Sequence, residues 1–240
     1  MATIEAIGLS KRYGARNALD GLTFAADAGD VIGLLGPNGA GKTTTIRVLT
    51  TILEPTGGTF TVAGVPGDQP HLIRQRIGVL PESAGYPARQ TGAEFLRYTA
   101  RLFGRSRRDA RAAADRLLGD VGLGDRAGSR ISTYSRGMKQ RLGIARALIN
   151  DPAVVFLDEP ALGLDPAGQR EILATIGDIA GRRGATVVLS THTLTEVEQV
   201  CGSVLILDRG VLRAAGPIDD VVAGAGSLSD AFLRLTEGRP

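Results

Sequence analysis

Gly36-Pro37-Asn38-Gly39-Ala40-Gly41-Lys42-Thr43 decides how the rest of the chain is read. Its spacing is G-x-x-x-x-G-K-[ST]. Before it stands Val31-Ile32-Gly33-Leu34-Leu35, an apolar run suited to a buried strand. After it, beyond Thr44-Thr45, Ile46 and Leu49 fall three apart on one face of a helix expected over 42–53. A strand, a glycine loop and a helix N-terminus together turn backbone N–H groups towards a phosphate. Glycine lets the backbone come close and take positive φ. Lys42 then reaches the β- and γ-phosphates, and the Thr43 hydroxyl is a ligand for Mg²⁺. The competing reading is a turn that merely joins a strand to a helix, and both flanks argue against it.

The 240 residues are enough for one substantial core, and no apolar run nears the ~20 residues that span a bilayer. The start, Met1-Ala2-Thr3-Ile4-Glu5, lacks the basic-then-apolar layout of a signal peptide, so a cytosolic protein is expected. Cys201 is the one cysteine, which excludes an intramolecular disulfide and a cysteine metal cluster. A net charge of +3 is too modest to define a partner. The densest basic patch is Arg105, Arg107, Arg108 and Arg111. It is either a solvated helix face or a contact for acidic lipid or a membrane partner.

Residues 3–35 read as β-rich, with strands around Ile4–Leu9, Ala18–Phe24 and Val31–Leu35. Tyr13 falls on the loop between the first two, either as packing or as a platform on which a nucleobase stacks. Glu54–Gly58 reads as a turn, Thr59–Val62 and Arg76–Leu80 as strands, with Glu82 just beyond the second. Thr91-x-x-Glu94 is a capping box for a helix through about Phe103, and Ser106 caps the next, about Arg107–Val121. Ser135 precedes a helix whose buried face carries Leu142, Ala145 and Leu148; its N-terminus is either a plain cap or an anion site.

Val154-Val155-Phe156-Leu157-Asp158-Glu159 is an apolar run that ends in two carboxylates, a central strand delivering charge at its carboxyl end. Asp158 suits Mg²⁺, and Glu159 suits a general base that polarises water. Asp165-Pro166 starts a helix through about Ala180. Ala185–Ser190 is a strand that leads to Thr191-His192, where the histidine is either a structural hydrogen-bonder or a contact for a γ-phosphate. His71 has no comparable case. Val204–Leu207 is the last clear strand, and Asp208-Arg209-Gly210 reads as a hairpin turn.

In this order the pieces resemble the ATP-binding subunit of an ABC transporter, over nearly the whole chain. The resemblance implies an α/β P-loop core, an N-terminal antiparallel β-subdomain and an inserted helical subdomain. Residues 1–240 would then form one ATP-binding domain, with 84–150 helical and 1–83 and 151–240 as the ATPase core. Gly36, Pro37, Asn38, Gly39, Ala40, Gly41, Lys42 and Thr43 match the Walker A loop, with Thr44 beside it, and Val154–Glu159 the Walker B strand. Tyr13 matches the adenine-stacking aromatic, Glu159 the catalytic glutamate, Gly163–Asp165 the D-loop and His192 the switch histidine. Ser135, Gly137 and Gln140 are similar to the signature that usually reads Ser-Gly-Gly-Gln, although Arg136 stands where the first glycine would be. Glu82 replaces the usual glutamine, either as a Mg²⁺ ligand of similar reach or as a solvated carboxylate.

Ser-x-Gly-Met-Lys-Gln and the segment Ser227–Leu235 are similar to the ABC-2-type export branch, whose cargo is drugs, antibiotics or lipid- and polysaccharide-like molecules. Because the chain ends soon afterwards, the added C-terminal domain of some relatives is expected to be absent. The resemblance implies ATP and Mg²⁺ as cofactors and a head-to-tail homodimer across ATP. It also implies a separate transmembrane permease subunit, through which the chain sits peripherally on the cytoplasmic face of the cell membrane, and no nucleic acid. The alternative is a non-transport ABC ATPase acting on ribosome or DNA; such proteins usually carry two ATP-binding domains or long coiled coils. A regulatory module with little turnover is a third class, against which Glu159 and His192 both speak.

Overall fold

The computed structural model describes residues 2–237. In chain order its strands are β1 (Ala2–Tyr13), β2 (Arg16–Asp27), β3 (Val31–Leu35), β4 (Gly57–Val62), β5 (Val65–Pro66), β6 (Ile77–Leu80), β7 (Val154–Asp158), β8 (Thr186–Thr191), β9 (Ser203–Asp208) and β10 (Val211–Pro217). Its α-helices are α1 (Lys42–Leu49), α2 (Pro70–Arg76), α3 (Gly92–Leu102), α4 (Arg107–Asp120), α5 (Arg136–Ala147), α6 (Pro166–Arg183), α7 (Leu194–Val200), α8 (Ile218–Val222) and α9 (Leu228–Thr236). Two sheets form, in the orders β2-β1-β4-β5 and β10-β9-β3-β8-β7-β6. The first is antiparallel. In the second, β9, β3, β8, β7 and β6 run parallel, and β10 closes one edge antiparallel to β9.

The parallel strands are near-continuous apolar runs because both faces of their sheet are covered. Val154 and Phe156 of β7 join Ile32, Leu34 and Val188 in a core shared with the antiparallel sheet and α1. The alternate residues Val155 and Leu157 face the other way, into a core with α3, α4, α5 and α6. Leu35, Val204 and Ile206 pack with Val197 and Leu228, beneath α7 and α9. The register pairs Leu35 with Thr191 and Asp158 with Ser190, which brings the carboxyl ends of β3, β8 and β7 level. Ligands of open α/β sheets gather at that edge.

The cap residues act as their types predict. Thr91 and Glu94 exchange side-chain-to-backbone hydrogen bonds at 3.1 and 2.9 Å, a capping box that starts α3. Ser106, Ser135 and Asp165 each accept an N–H three residues on and start α4, α5 and α6. Below α4 and α6 lies a cluster of charges. Asp151 accepts from Arg105 at 2.7 Å and from Arg116 at 3.1 Å, and Arg183 stands 3.5 Å away while also binding Asp120 at 2.6 Å. Arg105 is thereby a tie between segments, and Arg111 pairs with Asp115 at 3.6 Å, which leaves Arg107 and Arg108 as the exposed remainder of the basic patch.

Four local expectations are corrected. The helix expected over 42–53 ends at Leu49, because Thr51 turns into the left-handed region at φ 61°. Tyr13 is the last residue of β1, paired with Arg16 across the turn, and not part of a loop. Arg76 closes the helix α2, so the strand expected from Arg76 begins at Ile77; α2 itself was not expected. Val204–Leu207 is followed by a further strand, β10, its hairpin partner across Arg209-Gly210.

Candidate functional site

The glycine loop leaves β3 at the level edge and enters α1 through Gly41, whose φ of 111° falls where a side chain is strained. A Cβ there would also meet the Ala18 carbonyl oxygen at 2.8 Å, so only glycine lets the loop lie this close to β2. The Ala40 carbonyl accepts from Gly210 N–H at 2.8 Å, which fastens the loop to the β9–β10 hairpin. Inside the loop the Lys42 ammonium donates to the Gly36 carbonyl at 2.7 Å and lies 3.4 Å from that of Pro37. Burial pushes its pKa below the ordinary lysine value, opposed by the carboxylates of Glu159, Asp158 and Glu82.

Those carboxylates arrive from β7 and the loop after β6. Asp158 is buried, accepts from the Ser190 hydroxyl, and lies 3.4 Å from the Thr43 hydroxyl. Glu159 follows at φ 51°, a left-handed conformation that costs a non-glycine residue about 1–2 kcal/mol. Its N–H donates to the Ser190 carbonyl at 3.1 Å, which helps to hold that conformation. The carboxylate stands 3.9 Å from Lys42 Nζ, and both its oxygens lie 3.1 Å from His192 Nδ1. Glu159 is nearly covered, 11 % exposed at the side chain, whereas His192 is 49 % exposed and so touches both the carboxylate and solvent.

These groups border one cleft of about 690 Å³. It is lined by residues 38–44, by Glu159, Leu162 and His192, by Tyr13, Arg16 and Ala18, and by Glu82. Tyr13 is half-exposed and has Lys11 Nζ 5.5 Å from its ring centre. Gly36 and Pro37 contribute through their carbonyls to Lys42. The cleft thus gathers Tyr13, the glycine loop, Thr44, Glu82, Glu159 and His192, with Asp158 behind Thr43. Arg16, carried across the β1–β2 turn from Tyr13, was missed from sequence, as were Ala18 and Leu162, which also line the cleft, and Ser190, which holds Asp158. The only available signal for Arg16 was its place three residues after the aromatic.

Ser135 and Gly137 lie elsewhere. With Arg136, Gly163, Leu164 and Asp165 they border a second depression of about 430 Å³ that shares no residue with the first. Gln140 borders neither. The Arg136 guanidinium lies flat against Gly163: a Cβ there, at φ 70°, would meet its nitrogens at 2.5 and 2.9 Å. The turns from Glu159 to Leu164, closed by Leu162 N–H to Glu159 O and Leu164 N–H to Ala161 O at 3.2 Å each, run from one depression to the other.

A cradle of N–H groups with a buried lysine suits a polyphosphate, and a half-exposed aromatic at the rim suits a base. The Thr43 hydroxyl and Asp158 carboxylate are hard oxygen donors of the kind Mg²⁺ takes, with Glu82 a third oxygen source nearby. Among the described residues no three His, Cys, Asp or Glu gather into a cage. Mg²⁺ would then draw its remaining ligands from phosphate and water, as that ion commonly does.

Fold and cleft together define a P-loop nucleotide-binding domain. Residues 19–162 match the ABC transporter family model, so the chain belongs to the ABC transporter family. It is 41% identical over 220 residues to the daunorubicin resistance ATP-binding protein DrrA3 of Streptomyces coeruleorubidus, covering 91% of this chain and 69% of that one. To the linearmycin resistance ATP-binding protein LnrL of Bacillus subtilis it is 34% identical over 234 residues, covering 97% and 74%. A solved ATP-binding subunit of an ABC transporter superposes with a TM-score of 0.86 at 34% identity, over 97% of this chain and 99% of that one. Among the described residues no helix is long and apolar enough to cross a membrane.

Proposed function

We propose that the chain is the ATP-hydrolysing subunit of an exporter, working as a head-to-tail homodimer against a separate permease at the cytoplasmic face of a membrane. The observation that carries the reading is the division of site residues between two depressions of one chain. Tyr13, Lys42, Asp158, Glu159 and His192 serve the first, and Ser135 and Gly137 line the second. One copy then holds ATP in its loop, and the other closes over the γ-phosphate with the start of α5. Residues 84–150 act as the helical part that carries this surface, and the rest as the ATPase core. The resistance proteins among its relatives support export of a drug, antibiotic or lipid-like cargo.

In the closed site Lys42 exchanges the Gly36 carbonyl for phosphate oxygens. Water, hydrogen-bonded to Glu159, attacks the γ-phosphorus as the bond to the ADP oxygen breaks, and its proton passes to the carboxylate. His192 holds Glu159 through Nδ1 and offers its exposed edge to the γ-phosphate. Thr43, Asp158 and, in this reading, Glu82 would hold Mg²⁺, which would supply charge neutralisation on the phosphates when bound.

Complementation tests the shared site. Ser135→Arg and Lys42→Ala are each expected to abolish ATPase activity. In the mixed dimer one site carries both lesions and the other neither, so activity returns. If Ser135→Arg hydrolyses ATP normally by itself and the mixture gains nothing, the composite site is wrong.

A further inference from the structure

One buried carboxylate has no part in the hydrolysis described above. Glu196, in α7, is 6 % exposed, and its Oε2 accepts from the Thr191 hydroxyl at 2.7 Å. That hydroxyl accepts in turn from Thr193 N–H at 3.0 Å, and Thr193 O accepts from Glu196 N–H at 3.2 Å. The three bonds close a ring around residues 191–196, with His192 between the two threonines. Thr191 is fully buried, so its bond to Glu196 is shielded from competing water.

The next residue along α7 seats the ring on the phosphate loop's own strand. Val197 lies so close to Gly33 of β3 that a Cβ there would meet its methyl carbons at 2.8 and 2.9 Å. Contacts therefore run from β3 through Val197 and Glu196 to Thr191, and from there to His192 and Glu159. Burial pushes the Glu196 carboxyl up; the Thr191 bond opposes this, Glu159 adds to it, and His192 opposes it. Glu196 is thus close enough to sense both Glu159 and His192.

We infer that Glu196 is the positioning residue of His192: through the Thr191 hydroxyl it fixes the backbone that aims the imidazole at Glu159. This rests on the reading of His192 as a group that acts at the γ-phosphate. Glu196 does not border the cleft. Its loss would leave the cradle built and the histidine present but loosely aimed, and misplacement of about 1 Å can cost up to ~100-fold in rate.

The test uses the full chain with Mg-ATP and two pairs of variants. Thr191→Val and Glu196→Ala, which break the ring, are expected to lower kcat about tenfold or more with KM for ATP within about twofold, the pattern of a lost transition-state contact. Thr191→Ser and Glu196→Gln keep a hydroxyl and an acceptor, and should return most of that kcat. The chain has two histidines, so His71→Gln leaves His192 as the one source of imidazole ring signals in NMR. Those signals should move or broaden in Thr191→Val and stay in place in Thr191→Ser.

His192→Ala separates the two levels of the argument. If it keeps wild-type turnover, the role of His192 itself falls. If it loses turnover while Thr191→Val and Glu196→Ala keep theirs, the histidine stands and Glu196 does not position it. A fall in kcat with unmoved His192 signals also overturns the inference. Thr191→Val guards against a Glu196→Ala chain that fails to fold, since it keeps the side-chain shape and exchanges only the hydroxyl for a methyl.

Discussion

Glu159 sits in a conformation its residue type disfavours, at the end of a strand whose other residues are all apolar or paired. Strain of this kind persists where the surroundings impose it, and it concentrates at functional sites. Here Ser190 imposes it from β8 by taking the Glu159 N–H. Glu159→Gln keeps shape and hydrogen bonding while removing the base, so ATP should still bind while turnover falls by about 10²-fold or more. Size-exclusion chromatography with light scattering in Mg-ATP should find the mutant as a dimer, and near-wild-type turnover would sink the assignment. Glu82 lines the same cleft. Glu82→Gln should stay active with a raised Mg²⁺ requirement, and Glu82→Ala should lose more activity across a Mg²⁺ titration; a variant equal to wild type at every concentration makes Glu82 a solvated bystander. The glycine loop, Asp158 and Glu159 were legible because their chemistry sits in consecutive residues. Arg16 and Ser190 were not, since what brings them in is a hairpin turn and a strand pairing.

At the scale of elements, legibility followed the strength of local signals. α3, α4, α5 and α6 each begin at a side chain that satisfies a free N–H, and all four were read from those caps. α2 has no side-chain cap and buries only Ile73, so neither its start nor its apolar face marked it. β10 reads Val-Leu-Arg-Ala-Ala-Gly-Pro at an edge, half-buried, without the alternation that announces a strand. The turns between Glu159 and Leu164 show what one glycine secures. Gly163→Ala must hold φ near 70° and also push the Arg136 guanidinium aside, so it should lower thermal stability by about 1 kcal/mol or more. Arg136→Ala in the same chain should return the steric share of that loss and leave the backbone strain. If the double variant melts no higher than Gly163→Ala, the contact is not where the strain lies. α7 supplies a simpler check. Burial, with Glu196 adding, pushes the Cys201 thiol up to about 12, so at pH 8 it should resist alkylation in the native chain and react once unfolded in urea.

At the scale of the whole molecule, the level carboxyl ends of β3, β8 and β7 put phosphate loop, acid and histidine on one edge, while the start of α5 opens elsewhere. That arrangement was foreseeable only in part. A capped helix near Ser135 is visible in sequence, but its distance from the glycine loop depends on how α3, α4 and α5 stack on the sheet. The Asp151 cluster holds that stack from below. Arginine hydrogen bonds and charge outweigh burial and keep its carboxyl below the ordinary value of 3.8. A carboxyl depressed on folding contributes stability above its unfolded pKa, and that stability is lost as pH falls through the folded one. Asp151→Asn keeps a side chain that tolerates its φ of 47°. The variant should therefore melt a few degrees lower at pH 7, and the gap to wild type should close as pH drops below about 4.

Around Asp151 the arrangement is also unequal in its redundancy. Each arginine is one arm of three, and exposed pairs contribute about 0.2–1 kcal/mol apiece, so losing Arg105, Arg116 or Arg183 alone leaves the remaining arms engaged. The carboxylate has no understudy. A single proton or amide at Asp151 weakens all three arms together, and of the three Arg183 keeps a second carboxylate, Asp120 at 2.6 Å. This junction thus acts as a fuse: tolerant of wear at its arms, and weakened at once when the centre fails.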